Sequence, residues 1–256
     1  MSERVRMSLK RIKKAAGILG NLLFPMKCPV CDNILNDQIS MLRGRVPVGI
    51  CYKCAKTVHY IVPPRCFKCG KQLQDGAEEY CTDCRDAEHV FIMGRALYEY
   101  HSIKGALFRF KYGGRREYSK VFAKEVVFYL GDFVRRVQPD GLIPVPIHTL
   151  RCLKRGYNQA GELAKAIGRE FDIPVYDKLV VRKINTKPLK NMSPVERQNS
   201  LKKAFILGEN VVKLSTVIII DDIYTTGATI DAVAKVLLTL GPMKIYFVTL
   251  AIGEGI

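Results

Sequence analysis

The sequence predicts an α/β domain with a parallel sheet, preceded by a small cysteine-rich metal module. Three observations support this prediction: four C-x-x-C pairs lie within residues 28–84, strand and helix patterns alternate beyond residue 90, and one strand pattern is an unbroken β-branched run. We divide the 256 residues into a basic N-terminal segment (1–26), the cysteine module (27–90) and the α/β domain (91–256). No apolar run approaches the ~20 residues of a membrane-spanning helix, which excludes an integral membrane protein.

The eight paired cysteines predict two structural Zn²⁺ ions. Two thiolates at positions i and i+3 hold one edge of a tetrahedral ion, and a second pair completes a Cys₄ site. Consecutive pairs would form two successive ribbons, which we favour because each separation suits a β-hairpin, whereas alternate pairs would form a cross-braced fold. The predicted ligands are Cys28, Cys31, Cys51, Cys54, Cys66, Cys69, Cys81 and Cys84. Cys152 receives no role, and His59 and His89 are interpreted as surface or packing residues.

The elements of the α/β domain follow from the hydrophobic periodicity, taken in chain order. A continuous apolar run such as 217–220 is typical of a parallel strand that is buried on both faces. A basic loop is expected between residues 147 and 157, and Gly241 and Pro242 end the last helix. Strands are predicted at 95–100, 141–147, 217–220 and 244–252, and helices at 102–112, 118–137, 157–171 and 228–240.

The strongest functional signal is the segment 217–229, which reads VIIIDDIYTTGAT. Asp221 and Asp222 end the buried strand and can accept hydrogen bonds from the vicinal hydroxyls of a ribose. The free N–H groups and the dipole of the following helix suit a phosphate. Small residues at this turn would line that phosphate site, namely Thr225, Thr226, Gly227, Ala228 and Thr229. A phosphate site beside a diol site specifies a ribose 5-phosphate, and a P-loop is excluded because its Lys is absent.

Basic segments flank this motif. Arg151, Lys154 and Arg155 precede a helix that starts near Tyr157, which suits a pyrophosphate with Mg²⁺ bridging its oxygens. Alternatively, these bases solvate a surface loop. His148 is a better candidate for acid–base chemistry than His101, although a structural role is the simpler interpretation, and no catalytic residue is assigned.

Two further segments combine positive charge with features that suit nucleic acid. Residues 178–203 hold eight bases and one acid. Residues 104–124 hold seven bases interleaved with aromatic side chains, a pattern that suits single strands through charge and base stacking. The aromatic residues considered for stacking are Phe108, Phe110, Tyr112 and Tyr118. The alternative interpretation is that Phe108, Phe110 and Tyr118 belong to the core.

The formal charge of +17 is unevenly distributed. The α/β domain carries 26 Lys and Arg against 15 Asp and Glu, the N-terminal segment has a net +5, and the cysteine module has a net +1. Such a balance favours polyanionic partners: nucleic acid, phosphorylated metabolites or an acidic membrane face. The alternative is a basic surface without a partner.

Several motifs carry a resemblance to known families. The segment 217–229 resembles the phosphoribosyl pyrophosphate (PRPP) motif of type I phosphoribosyltransferases. FKYGGRR at 110–116, IPVPIH with RCLKRGYNQA in 140–160, and the segment 186–205 extend the resemblance to the ComF family, the competence protein FC type. Leu189 stands where that family usually has Gln, and Ser200 where it has Asn.

The resemblance implies a double zinc ribbon joined to a phosphoribosyltransferase-like domain. It also implies a role in handling single-stranded DNA during natural transformation, with protein partners from a DNA-uptake machinery. The expected location is the cytoplasm, at the inner face of the membrane in one version of this hypothesis. Similar type I enzymes bind pyrophosphate in a loop comparable to the one around Arg151, and cover the reacting centre with a loop in the place of residues 178–203.

Two functions compete at this point. The first is a DNA-handling protein that binds PRPP or a similar phosphorylated ribose. The second is a catalytic phosphoribosyltransferase that acts on an acceptor which the sequence does not identify. A zinc-ribbon adaptor with an inert α/β domain is a weaker third option, because the PRPP motif is intact.

Overall fold

A computed structural model describes residues 26–35, 49–184, 204–208 and 212–253 of the chain. Its strands are β1 (Met93–Glu99), β2 (Gly141–Pro144), β3 (Val180–Arg182), β4 (Phe205–Leu207), β5 (Thr216–Tyr224) and β6 (Lys244–Ile252). Its helices are α1 (Tyr52–Ala55), α2 (Thr82–Asp86), α3 (Tyr100–Tyr112), α4 (Tyr118–Val137), α5 (Thr149–Arg155), α6 (Gln159–Phe171) and α7 (Ala228–Leu238). Within these ranges, no helix combines the length and the apolar character needed to cross a membrane.

A four-stranded parallel sheet in the order β1–β6–β5–β2 forms the centre of the α/β domain. In its register, Ile219 of β5 lies opposite Ile143 of β2 and Phe247 of β6. The parallel α/β class predicted from the sequence is therefore confirmed. Because the strands are parallel, their carboxyl ends lie along one edge of the sheet, where open α/β sheets bind ligands.

Alternate residues of β5 face two separate apolar clusters, as the two-residue period of a strand requires. Ile218 and Ile220 lie in one cluster with α3, α4 and α6, whereas Val217 and Ile219 lie in the other with α7. The predicted burial of this strand on both faces is confirmed. The strand continues beyond the predicted run and ends at Tyr224.

The basic loop expected between residues 147 and 157 is wrong, because this stretch contains helix α5. Nδ1 of His148 accepts a hydrogen bond from the Leu150 N–H at 3.2 Å and caps the helix. Gly156 ends it with a φ of +80°, in the left-handed region that glycine adopts without strain. The antiparallel pair β3–β4 was not predicted, because each strand has three residues and a pattern that short is not informative.

The cysteine module packs directly on strand β1. The Ile61 N–H donates to the Leu97 carbonyl at 2.9 Å, and the Gly94 N–H donates to the Lys68 carbonyl at 2.7 Å. Gly70, with a φ of +79°, approaches β1 so closely that a β-carbon would lie 2.7 Å from the Gly94 carbonyl oxygen. The cysteine module and the parallel sheet therefore share a continuous packed interior.

Candidate functional site

The eight paired thiols gather into two groups, each formed by consecutive C-x-x-C pairs. One group holds the first and second pairs, the other holds the third and fourth, and within each group the sulfur atoms lie within 4.8 Å of one another. Cys31 and Cys51 Sγ are 3.7 Å apart, and Cys69 and Cys81 Sγ are 3.6 Å apart. A tetrahedral Zn²⁺ with Zn–S bonds of about 2.3 Å keeps its sulfur atoms about 3.8 Å apart. The two tetrads therefore fit two structural zinc ions, and their grouping is that of successive ribbons.

The paired acids Asp221 and Asp222 lie near the carboxyl end of β5, on the central strand pair of the sheet. Burial and the neighbouring charge of Asp222 raise the pKa of Asp221 to about 7. Its Oδ1 also accepts a hydrogen bond from the Asp222 N–H at 2.8 Å. A carboxyl with a pKa near 7 occurs in both forms at neutral pH. The ionised form accepts hydrogen bonds from hydroxyl groups, and the protonated form can also donate one.

Lys111, from the last turn of α3, forms an ion pair with one of these acids. Its Nζ lies 2.8 Å from Asp222 Oδ2, and both side chains are largely buried. Burial opposes the charge of the Lys111 ammonium, but the carboxylates of Asp222 and Asp221 outweigh this effect and raise its pKa. The residue remains a fixed positive charge at neutral pH.

The small residues after β5 form the turn into helix α7. Gly227 starts this helix with a φ of +79°, a conformation that a residue with a side chain adopts only under strain. The other four small residues of this turn are half-buried: Thr225, Thr226, Ala228 and Thr229. The structure thus brings the paired acids and the N-terminal turn of α7 together at one edge of the sheet.

The three bases expected to bind pyrophosphate lie on helix α5 rather than in a loop. Arg155 donates to Gln159 Oε1 at 2.9 Å and to the Tyr112 hydroxyl at 3.0 Å, which joins α5 to the end of α3. Burial and the charge of Arg151 lower the pKa of Arg182 to about 10, and Asp221 opposes this effect. Arg182 therefore lies close enough to both Asp221 and Arg151 for their charges to interact, and Lys154 is exposed on α5.

Sequence reasoning overlooked two residues beside this site. Lys111 lies in the FKYGGRR segment, but the sequence does not distinguish its role from that of the neighbouring bases. His89 was interpreted as a surface or packing residue, and its 2% exposed side chain agrees with packing; what the sequence did not indicate is its partner, Asp231 on α7, with Nδ1 2.7 Å from Oδ2. Their partners lie more than a hundred residues away along the chain, so no local pattern indicates these pairs.

Some sequence-based candidates do not join the site, and others cannot be located. His148 caps helix α5, and His101 is exposed at the start of α3. Of the four aromatic residues proposed for base stacking, Phe110 and Tyr118 are fully buried, whereas Phe108 and Tyr112 are exposed. Most of the basic segment 178–203, with Leu189 and Ser200, and nearly all of 1–26 lie outside the described residues.

Comparison with known proteins first defines the class. A family model described as a double zinc ribbon domain matches residues 19–85, and a model described as a phosphoribosyl transferase domain matches residues 146–254. The chain is therefore a double zinc ribbon joined to a phosphoribosyltransferase domain.

Individual relatives then identify the family. The chain is 30% identical to Competence protein F of Haemophilus influenzae over 83% of this chain and 96% of that protein. It is 29% identical to Competence protein ComFC of Streptococcus pneumoniae over 83% of this chain and 93% of that protein. A shorter match, 33% identical over 40% of this chain, is to DNA utilization protein YhgH of Escherichia coli, of which it covers 45%. The chain belongs to the ComF family.

Proposed function

We propose that this protein handles single-stranded DNA in natural transformation and binds PRPP or a similar ribose 5-phosphate at the turn between β5 and α7. Two relatives that match most of the chain carry the name competence protein, and a third is named for DNA utilization. The proposed partners are single-stranded DNA, a phosphorylated ribose and proteins of a DNA-uptake machinery. The proposed location is the cytoplasm, including the inner face of the membrane.

The ribose phosphate part of the proposal is supported by the chemistry of the turn. Asp221 and Asp222 supply acceptors for a diol, while Gly227 and the first N–H groups of α7 supply donors for a phosphate. Lys111 forms an ion pair with Asp222, and its positive charge offsets the repulsion between the paired carboxylates and a polyphosphate. Arg151, Lys154 and Arg155 on α5 would contact the pyrophosphate, and the carboxylates of Asp221 and Asp222 would hold Mg²⁺, which would neutralise charge on the bound pyrophosphate.

One observation supports the nucleic-acid part most strongly. Phe108 and Tyr112 expose about 60% of their surface, and their ring centroids are 5.1 Å apart. The Arg155 guanidinium lies 4.7 Å from the centroid of the Tyr112 ring. Exposed rings next to a cation suit the stacking of bases and the binding of the intervening phosphates. Since Tyr112 directly follows Lys111, a strand bound here would pass beside the proposed ribose phosphate site.

A fluorescence-anisotropy titration with labelled single-stranded DNA tests the platform formed by Phe108 and Tyr112. We expect Phe108→Ala and Tyr112→Ala each to weaken binding by about 1–3 kcal/mol, the typical contribution of one stacked base. Phe128→Ala is the matched control, because Phe128 is an exposed aromatic residue on a different helix, α4. Equal affinities for all three variants would contradict the platform.

The same titration at several salt concentrations tests the basic tracts. Affinity should fall with salt at a slope of about −0.7 per neutralised phosphate. Replacing Lys187, Lys190, Lys202 and Lys203 with Gln should lower both the affinity and the slope; these four lysines lie outside the described residues. Binding that is weak and insensitive to salt and to these changes would contradict the nucleic-acid proposal.

Calorimetry with PRPP and Mg²⁺ tests the ribose phosphate site. We expect Asp222→Ala to weaken binding by roughly 1.5–3 kcal/mol, because it removes charge-assisted hydrogen bonds to the ribose hydroxyls. Absence of binding to the unmodified protein would remove this part of the proposal. Pyrophosphate release, measured with and without single-stranded DNA, separates ligand binding from catalytic phosphoribosyl transfer, the alternative function.

A further inference from the structure

His89 joins the end of the cysteine module to the first turn of helix α7. Its Nδ1 lies 2.7 Å from Asp231 Oδ2, and the next residue, Val90, donates its backbone N–H to Asp231 Oδ1 at 3.0 Å. Both oxygens of one carboxylate on α7 are thus occupied by adjacent residues of the module. His89 is five residues beyond Cys84, the last ligand of the second tetrad.

The His89 ring also supports the turn that we propose to bind phosphate. A β-carbon built on Gly227 would lie 2.7 Å from His89 Cε1 and 2.7 Å from the Tyr224 hydroxyl oxygen. The backbone of the turn therefore rests on these two rings, and a side chain at position 227 would displace them. Asp231 itself donates its N–H to the Gly227 carbonyl at 2.9 Å, so one short cycle of contacts connects ring, carboxylate and turn.

A stack of rings carries this contact back to the second tetrad. His89 stacks on Phe91 at 4.7 Å, Phe91 packs edge-on against Phe247 at 4.9 Å, and Phe247 stacks on Tyr224 at 4.8 Å. Phe91, Tyr224 and Phe247 belong to the same apolar cluster as three ligands of the second tetrad, Cys66, Cys69 and Cys81. Because a packed interior has few voids, a displacement of one ring in this stack is transmitted to its neighbours.

We propose that His89 is a positioning residue that fixes the phosphate-binding turn to the second zinc ribbon, so that zinc in this ribbon and a ribose phosphate at the turn stabilise each other's binding. The proposal rests on the proposed function for its ligand. The coupling is reciprocal by thermodynamic necessity: whatever zinc adds to the affinity for PRPP, PRPP adds to the affinity for zinc.

Hydrogen exchange tests the positioning without any ligand. In the zinc-loaded full chain, His89→Ala should speed exchange of the amides at residues 225–229, whereas His89→Asn should restore slow exchange because its amide can donate to Asp231. His59→Ala is the matched control: His59 also lies in the cysteine module and pairs with a carboxylate, Glu99 at 2.9 Å, but it is exposed and its partner lies on β1 rather than on α7. Unchanged exchange in His89→Ala would overturn the proposal.

Binding measurements test the coupling. His89→Ala should weaken PRPP binding about ten-fold while both zinc ions remain bound, and His59→Ala should leave the affinity unchanged. PRPP should slow the release of one of the two zinc ions to a chromophoric chelator, and this protection should be lost in His89→Ala. Equal protection in both proteins would overturn the coupling.

The hydrogen-exchange and binding measurements together distinguish a failure of this proposal from a failure of the proposed function. If the unmodified protein binds no PRPP but His89→Ala still loosens residues 225–229, the ligand is wrong and the positioning role stands. Should His89→Ala fail to fold, Asp231→Asn removes the charge of the same pair from the α7 side. The same increase in exchange is expected there, and its absence would overturn the positioning role.

Discussion

The two zinc ribbons use the same ligands at the same local spacing, but they differ in what surrounds them. In the second tetrad, Cys66, Cys69 and Cys81 are buried in the apolar cluster beside the proposed phosphate-binding turn, and Cys84 is half-buried. In the first tetrad, one thiol is buried, two are half-buried and Cys31 is exposed. C-x-x-C spacing thus selects the ligands of both metal sites, whereas packing decides which elements each site adjoins: the first tetrad lies in the cluster of α3 and α4, and the second lies in the cluster of Tyr224 and α7.

The first ribbon is joined to the α/β domain by apolar packing, with Cys28, Ile50 and Val58 in the cluster of α3, α4 and α6, and by polar contacts. Arg109 of α3 donates to the carbonyls of Pro29 at 2.7 Å and Val30 at 2.6 Å. Asp32 accepts a hydrogen bond from the Tyr118 hydroxyl at 2.6 Å and pairs with Arg115. These contacts lie on the α3 and α4 side of the sheet, away from α7.

The largest expected effect separates the two tetrads directly. Cys69→Ser should remove one zinc ion and lower the free energy of unfolding by more than about 4 kcal/mol, because a polar hydroxyl and an empty tetrad are then left inside the core. Cys31→Ser should also remove one zinc ion, but at a smaller loss of stability, since its site is partly exposed. Elemental analysis and chemical denaturation measure both. Equal losses of stability would show that the two ribbons are energetically alike.

A smaller effect should be confined to the first ribbon. Arg109→Met keeps most of the aliphatic volume but removes two charge-assisted hydrogen bonds, so the free energy of unfolding should fall by about 1.5–3 kcal/mol. Arg135→Met is the control, because Arg135 pairs with Asp132 on the exposed surface of α4 and should contribute little. PRPP affinity should not change in either variant. A loss of PRPP affinity in Arg109→Met would mean that the first ribbon also acts on the turn.

The smallest expected effect is the pH dependence of ligand affinity at the site beside the second ribbon. Because burial and Asp222 raise the pKa of Asp221 to about 7, affinity for a ribose that donates hydroxyls to the ionised carboxylate should rise by up to about ten-fold between roughly pH 6 and pH 8. Stability has the opposite sign: a raised carboxyl pKa favours the folded state at low pH, and this contribution is lost as the pH rises through 7.

Calorimetry at several pH values, with Asp221→Asn as the control, tests this dependence. The phosphate of the ligand titrates near pH 6 whichever protein it binds. Asp221 therefore accounts only for the difference between the affinity–pH profiles of the unmodified protein and of Asp221→Asn. Identical profiles would contradict an Asp221 that titrates near neutrality. Cys31→Ser should retain the difference, because the first ribbon lies on the other side of the sheet.

Much of the architecture could be predicted from local patterns. The four C-x-x-C pairs, the β-branched run before Asp221 and the spacing along α4 each carry their signal within a few residues, and the fold and metal class followed from them. Helix α5 was missed because its start depends on a cap by His148 and its end on Gly156, within a stretch whose charges resemble a loop. The strands β3 and β4 were missed because each forms only by pairing with the other.

By itself, the sequence determined the α/β class, the eight cysteine ligands and the motif at residues 217–229, because each of these depends on nearby residues whose chemistry is local, whereas the grouping of the ligands into two tetrads came from the structure. Tertiary structure alone decided which charges meet that motif. Lys111 reaches Asp222 from 111 residues away, and His89 reaches Asp231 from 142 residues away, since the parallel sheet brings the end of α3 and the end of the cysteine module to the same edge. The energy of such pairs depends on distance and burial, which arise only once the chain has folded.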